Sequence, residues 1–439
     1  MTSEPFSSPR EAFVWVWLPG RVDPVVAGRL VADGAEVAFV YGRSYRALPD
    51  AIPLYLPELP LEAGVIRPLN GLPIASAIRD AAPDAWGRRV ILNRTFGLKG
   101  AALDGVDLDE LTFLLQSGSD RIGALDFQTS ATDYVARGGA HATLDELIAS
   151  AERVERNLPL SPELDQALHH GSSIGGARPK ALITDGPVKY VAKFSSAADT
   201  YSVVKAEYIA MRLAALAGLD VAPVRLAQAS GKDVLLVQRF DREAEGAGWR
   251  RKAMVSALTM LGLDEMQARY ASYQDLAEIV RFRFTRPQET LRELFARIAF
   301  NILVGNLDDH ARNHAAFWDG EHLTLTPAYD ICPQGRAGEE ASQAMLIVDQ
   351  NRASQIATCL AAAPHFQLDA PSAVRIVEHQ VRTIGDHWAS VCEEAELGEV
   401  DRTLFWGRQF LNPYAFYGLE GGSGEPLTSL AADYRRQVA

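Results

Sequence analysis

Cysteine is scarce: three residues in 439, at Cys332, Cys359 and Cys392, widely spaced and with no CxxC pair. An odd, scattered set argues against a disulfide framework and against a thiolate zinc site. Long apolar runs are missing as well. No window approaches the ~18 uncharged residues a membrane helix needs. Met1 to Arg10 lacks the apolar core of a signal peptide, so a cytoplasmic protein is expected. Positive charge is in short supply, with 43 Lys and Arg against 56 Asp and Glu and a net charge of -13. Phosphate contact needs a basic surface, so such a chain is a poor nucleic-acid binder by itself. Any DNA contact is expected to come through a basic partner. The sequence also has no internal repeat and no low-complexity tract. It contains neither the G-x-x-x-x-G-K-[ST] P-loop nor the G-x-G-x-x-G loop of typical protein kinases.

What is present is ordinary globular composition, 48% hydrophobic and 23% charged, over a length that suits two or three domains. Phe13 to Leu18 and Glu36 to Tyr41 are β-branched and aromatic runs that predict strands. A helical segment follows around Ile74 to Phe96, with Trp86 as a packing anchor. Thr143-Leu-Asp-Glu146 reads as a capping box, and Ser161-Pro162 as the start of another helix. Ala181 to Thr184, Val188 to Phe194 and Val234 to Phe240 predict a small sheet, with one helix over Lys205 to Gly218. Beyond Ala253 the pattern is mostly helical. Leu291, Leu294, Phe295, Ile298 and Ile302 form one apolar stripe. Asp319-Gly320 between short apolar runs signals a hairpin. Gly418 to Pro426 reads as a flexible loop.

Four groups of residues carry chemistry. Phosphoryl transfer to a hydroxyl needs a carboxylate near the attacking oxygen, oxygen ligands for Mg²⁺ and cations on the phosphates. In Asn306-Leu-Asp-Asp-His-Ala-Arg-Asn313, Asp308 and Asn313 have the five-residue spacing of a kinase catalytic base and metal-ligating asparagine. Asp309 lacks that spacing, so it is expected to orient the loop. Past the hairpin, Ala328-Tyr329-Asp330 supplies an aspartate in the order of the second metal ligand. Upstream, Lys193 on a strand and Glu207 on the next helix match the pair that aims an ammonium at phosphates. Lys189 lies on the same strand face, and only the Val-Ala-Lys context favours Lys193. The loop Ser172 to Lys180 is rich in small residues that let backbone N–H groups approach phosphate, and Arg178 and Lys180 add charge. With Lys189 and Lys193 these would attract a polyanion to an otherwise acidic chain.

The sequence resembles the HipA family of bacterial serine/threonine kinase toxins. The stretches that match are SSIGGARPKA (172–181), VAKF (191–194), the Glu207 helix, VQRFDR (237–242), FNILVGNLDDHARNH (300–314) and PAYDI (327–331), with PDAWGR (83–88) near the N-terminus. The resemblance implies an α+β, protein-kinase-like bilobal fold. Its parts would be a β-rich N-terminal subdomain over 1–130, a kinase N-lobe with connector helices over 131–243, and a helical C-lobe over 244–439. It implies an ATP-dependent kinase using Mg²⁺. Ile174, Gly175, Gly176, Ala177, Arg178, Pro179 and Lys180 would form the nucleotide loop. Lys193, supported by Glu207, would contact phosphate. Gln238, Arg239 and Phe240 would be the hinge that receives adenine. His310, Ala311, Arg312 and Asn313 would line the site with Tyr329 and Asp330. Asp308 would be the catalytic base, with Asn313 and Asp330 on the metal. Ser173, or Ser172 beside it, matches the loop serine that is autophosphorylated. The family further implies a small basic helix-turn-helix antitoxin (HipB-like) and a protein substrate such as an aminoacyl-tRNA synthetase. A small-molecule kinase on the same scaffold and a catalytically silent co-repressor subunit remain open from sequence. Asp309 stands where some members carry glycine.

Overall fold

The computed structural model describes residues 9–96, 108–138, 142–156, 158, 178–196, 199–336, 338 and 340–438. It divides into two compact units. One comprises Met1–Ala197, Gln228–Val255 and Phe317–Glu321, and the other comprises Ala198–Ala227, Ser256–Ala316 and His322–Ala439.

The first unit begins with an antiparallel sheet of β1 (Glu11–Val16), β2 (Val25–Asp33), β3 (Glu36–Tyr41) and β4 (Leu125–Gln128), in the order β3-β2-β1-β4. The aromatic and β-branched residues expected to form strands do so, and Val14, Val16, Phe39 and Phe127 are buried. Helix α1 (Ala85–Phe96) packs on α2 (Glu110–Gln116) and α3 (Leu144–Glu155). Trp86 is buried at the start of α1, as a packing anchor should be. The Thr143 hydroxyl accepts from the Glu146 N–H and the Glu146 carboxylate accepts from the Thr143 N–H, so the capping box is present. Further along, β5 (Lys180–Asp185), β6 (Val188–Phe194) and β7 (Lys232–Gln238) pair antiparallel in the order β5-β6-β7. The helix expected at Ser161-Pro162 lies outside the described residues.

A buried ionic knot ties the 120–123 loop to β6 and to the segment after β7. Asp241 accepts from Arg239 Nε at 2.9 Å and Nη2 at 2.8 Å, from Arg242 Nη1 at 2.9 Å, and from the Gly123 N–H at 2.9 Å. Asp120 accepts from Arg239 Nη1 at 3.0 Å, from Arg242 Nε at 3.1 Å and from Lys189 Nζ. The spare guanidinium donors reach the Arg121 and Gly123 carbonyls. The purpose of VQRFDR is thereby visible: its charged residues face inward as a clasp.

The second unit is helical. Its centre is α6 (Pro287–Val304), which packs against α5 (Tyr273–Arg283) and α7 (Ala370–Glu394). Helix α7 packs in turn against α4 (Val203–Leu216) and α8 (Glu425–Val438). All five residues of the predicted apolar stripe on α6 are buried. Proline at its first turn and Gly305 at its end delimit the helix. Gly305 has φ +70°, and a Cβ there would lie 2.8 Å from the Gln409 carbonyl oxygen, so both backbone and space demand glycine. One expectation is corrected. The supposed flexible stretch from Gly418 to Pro426 ends inside α8, whose first turn includes Pro426, because proline is well suited to a helix start. Among the described residues no helix is long and apolar enough to cross a membrane.

The ionic knot sets a testable stability. Burial by itself would raise the Asp241 carboxyl, but Arg239 and Arg242 outweigh it and bring the carboxyl down to about 2. Its unfolded value is about 3.9. The folded value is depressed, so this stability is present above pH ~4 and is lost as pH falls through about 2. Asp241→Asn is expected to cost about 3–5 kcal/mol in urea unfolding at pH 7, because two guanidinium groups lose a buried partner. The variant's stability should also change less between pH 5 and 2 than that of the unsubstituted chain.

Candidate active site

In the helical unit the chain leaves α6 at Gly305 and enters Asn306 to Asn313. This loop is anchored from below. Asn306 is 1% exposed; its N–H donates to the Asn301 carbonyl at 2.9 Å and its Nδ2 to Asn301 Oδ1 at 3.1 Å. Asp309 is 2% exposed. Its Oδ2 accepts from Asn301 Nδ2 at 2.6 Å and from the Tyr273 hydroxyl. Its Oδ1 lies 3.0 Å from His314 Nε2, close but without the alignment of a hydrogen bond. Burial would raise the Asp309 carboxyl, yet His314, Tyr273 and Asn301 together hold it below the usual range. Tyr273 is the first residue of α5, and the Ser272 hydroxyl caps that helix by accepting from the N–H groups of Gln274 and Asp275. Asp309 therefore orients the loop, and its oxygens are occupied in doing so.

Asp308 differs from its neighbour: it is exposed at the rim. Partial desolvation, then the charges of Asp330 and Asp309, raise its carboxyl, while His310 pulls the other way. Water at the rim screens part of that push. The Asp308 carbonyl accepts from Asn313 Nδ2 at 3.1 Å. This bond uses the amide nitrogen of a buried asparagine, so Oδ1 is the atom it can offer to a cation. Asp330 sits in the left-handed region, φ +59°, which aspartate tolerates better than most residues. Its carbonyl is 3.5 Å from Asn306 Nδ2, so one asparagine contacts both segments. The Tyr329 hydroxyl donates to the Arg312 carbonyl at 2.6 Å, and Arg312 itself pairs with Glu265. Ala311 is buried, and His310 has a buried Nδ1 without a hydrogen-bond partner. Glu207 is buried on α4. A small cavity is lined by Arg297, Asn301, Asp309, Asn313, Tyr329 and Ile331, among others.

The first unit carries the other expected residues. Register places Lys180 on β5 directly opposite Lys193 on β6, so both side chains share a face. Like charges so placed repel unless an anion lies between or beside them. Asp84, from the PDAWGR segment, is 3.4 Å from Lys180 Nζ, and its other oxygen accepts from the Gly87 N–H. Lys189 is held by Asp120 and stands 4.9 Å from the Trp249 ring centroid. The expected patch of four cations is corrected to this extent: Lys180 and Lys189 have carboxylate partners. Gln238 pairs with Tyr190 in the sheet. The Arg239 N–H donates to the Lys189 carbonyl at 2.8 Å and its side chain belongs to the ionic knot, while Phe240 meets Phe317 edge to face. Arg178 and Pro179 are described. Ser172, Ser173, Ile174, Gly175, Gly176 and Ala177 lie outside the described residues.

Sequence reasoning missed Tyr273, Asn301 and Asp84. Asn301 had a signal: a lone amide in the apolar final turns of α6 needs a buried partner. Among the described residues no three His, Cys, Asp or Glu side chains converge as a metal cage. One amide oxygen plus one carboxylate is instead the sparse set that Mg²⁺ shares with substrate phosphates.

Removing the anchor should be measurable. Tyr273→Phe deletes one donor to the buried Asp309 carboxylate and is expected to cost about 1–3 kcal/mol. A urea midpoint equal to that of the unsubstituted chain would show that this bond contributes nothing.

Two family descriptions match the chain, the HipA N-terminal domain over residues 16–128 and the HipA-like C-terminal domain over residues 172–388. The protein Y4mE of Sinorhizobium fredii, which carries a kinase name, is 27% identical over 345 residues, covering 72% of this chain and 76% of that protein. The serine/threonine-protein kinase toxin HipA of Shewanella oneidensis is 28% identical over 141 residues, covering 28% of this chain and 33% of that one. The chain also superimposes on a solved structure of HipA with HipB and operator DNA from Shewanella oneidensis MR-1. The TM-score is 0.67 at 18% identity, covering 97% of this chain and 95% of that chain. The shared fold is thus α+β and kinase-like.

Proposed function

We propose that this chain, which belongs to the HipA family, is an ATP-dependent serine/threonine-protein kinase and the toxin of a toxin–antitoxin pair. The observation that carries the reading is the contrast within one loop. Asp309 is buried and fully engaged as an anchor, and Asp308 beside it is exposed with a raised carboxyl. Asn313 is pinned to the Asp308 carbonyl five residues earlier. Asp308 would accept or orient the proton of the attacking serine hydroxyl. Asn313 Oδ1 and Asp330 would hold Mg²⁺, which when bound supplies charge neutralisation on the phosphates. The orphaned His310 Nδ1 and Asn306 Oδ1 fit a site that ligand or water completes.

Within the first unit, Lys193 would take the phosphate role, while Lys189 is held by Asp120 in the ionic knot. Lys180 would join Lys193 across the strand pair. Ile174 to Lys180 would form the nucleotide loop and Gln238 to Phe240 the adenine hinge. With the Arg239 N–H engaged, carbonyl groups or the neighbouring residues must do the hinge's work. Ser173 or Ser172 would be the autophosphorylated serine. The solved relative contains HipB and operator DNA. For this chain a basic helix-turn-helix antitoxin, binding DNA on its behalf, fits a net charge of -13. An aminoacyl-tRNA synthetase is the substrate proposed for this chain, and the cytoplasm the proposed location.

Intact mass after incubation with Mg²⁺–ATP tests the reading, with Asp308→Asn in parallel. One added phosphate on the unsubstituted chain, absent from the variant, is expected. Equal transfer by both removes Asp308 as the base. The rate of transfer should rise with pH, because the base works deprotonated. The raised Asp308 carboxyl places that limb above the ordinary carboxylate range.

A further inference from the structure

In the second half of α6, Arg297 and Asn301 are buried, 3% and 4% exposed, among mostly apolar neighbours. They are four positions apart in the sequence, so they lie one above the other on the same helix face. Asn301 holds the loop from Asn306 to Asn313, through Asp309 and Asn306. Arg297 holds the segment that leads to Asp330. Its Nη2 donates to the Thr326 carbonyl at 2.9 Å and to the Asp220 carbonyl at 3.1 Å. Its Nε donates to Glu293 at 2.8 Å, and Glu293 also accepts from the Asp220 N–H at 3.2 Å. The Asp220 carbonyl is shared: the Ala328 N–H donates to it at 2.7 Å, while the Ala328 carbonyl accepts from the Ala222 N–H at 2.9 Å. Thr326 to Ala328 is thereby gripped from two sides, by α6 and by the residues that follow α4.

Both segments that carry the proposed metal ligands, Asn313 and Asp330, thus take their position from one turn of α6. Arg297, Asn301, Asn313 and Tyr329 line the same small cavity. A guanidinium is expensive to bury, and the apolar stripe already seats α6 in the core. The donors of Arg297 go instead to main-chain carbonyls around the approach to Asp330. That aspartate has φ +59°, a conformation that persists only where the surroundings over-determine it. Behind Asp330 the hold is loose, its carbonyl being 3.5 Å from Asn306 Nδ2. Ahead of it the hold is tight, and Arg297 is part of it.

We infer that Arg297 is a positioning residue, which sets the main chain ahead of Asp330 so that the Asp330 carboxylate and Asn313 Oδ1 serve one divalent cation. The inference rests on the kinase reading and deepens it. In this role Arg297 acts through Asp330 and takes no part in the chemistry.

Binding of Mn²⁺ in the presence of the non-hydrolysable ATP analogue AMP-PNP, followed by electron paramagnetic resonance, tests this without turnover. The unsubstituted chain is compared with Arg297→Met, Arg297→Lys, Asp330→Asn and the double variant Arg297→Met with Asp330→Asn. Asparagine tolerates the left-handed backbone as aspartate does. Arg297→Met keeps an apolar stem and loses the donors, and is expected to weaken Mn²⁺ binding at least tenfold. Arg297→Lys is expected to fall between, because an ammonium still donates to carbonyls. The double variant is expected to bind Mn²⁺ no more weakly than Asp330→Asn alone, since a residue that acts through Asp330 has nothing further to lose once that carboxylate is gone. Additive losses would overturn the inference, as would unaltered Mn²⁺ affinity in a folded Arg297→Met. If circular dichroism shows Arg297→Met unfolded, the same cycle built on Arg297→Lys decides by the same criterion. An unsubstituted chain that binds no Mn²⁺ with the nucleotide overturns the kinase reading. One that binds it, with the Arg297 variants binding equally well, overturns this inference alone.

Discussion

A carboxylate can be buried only where donors surround it, and each unit of this chain is organised by that requirement. In the helical unit the carboxylate is Asp309, met by Tyr273, Asn301 and His314. These three neighbours, two of them donors and His314 a close contact, come from the start of α5, the end of α6 and the residue that follows the loop. Satisfying one side chain therefore fixes three segments against one another and leaves Asp308, Asn313 and Asp330 little freedom. In the other unit the carboxylates are Asp120 and Asp241, met by Lys189, Arg239 and Arg242. That cluster joins a loop of the N-terminal sheet to residues more than a hundred positions later. Both arrangements lose more when one partner is removed than they gain over an apolar core, so they favour a particular geometry over raw stability.

Adjacent residues of the same type illustrate how environment assigns chemistry. Asp308 and Asp309 differ by one position in sequence, yet burial and donors pull the second below the usual carboxylate range, while partial desolvation and neighbouring anions push the first above it. Pairs of titratable groups driven apart in this way mark a division of labour. One holds the loop and the other is left poised for a proton.

Local chemistry was readable from the sequence, and distant pairing was not. The α6 stripe, the capping box at Thr143 and the strands flanking Asp319-Gly320 follow from short-range rules that the structure obeys. The five-residue spacing of Asp308 and Asn313 was equally visible and corresponds to a real contact. The ionic knot spans 119 residues between Asp120 and Arg239, and nothing in either neighbourhood names the other. Lys189 looked like a second phosphate lysine because period-two geometry places it on the face of Lys193. Only the fold brings Asp120 to it. Lys180 has its counter-charge 96 residues upstream at Asp84, for the same reason. Asn301 lay between the two cases: its buried amide announced that a partner must exist, without saying which.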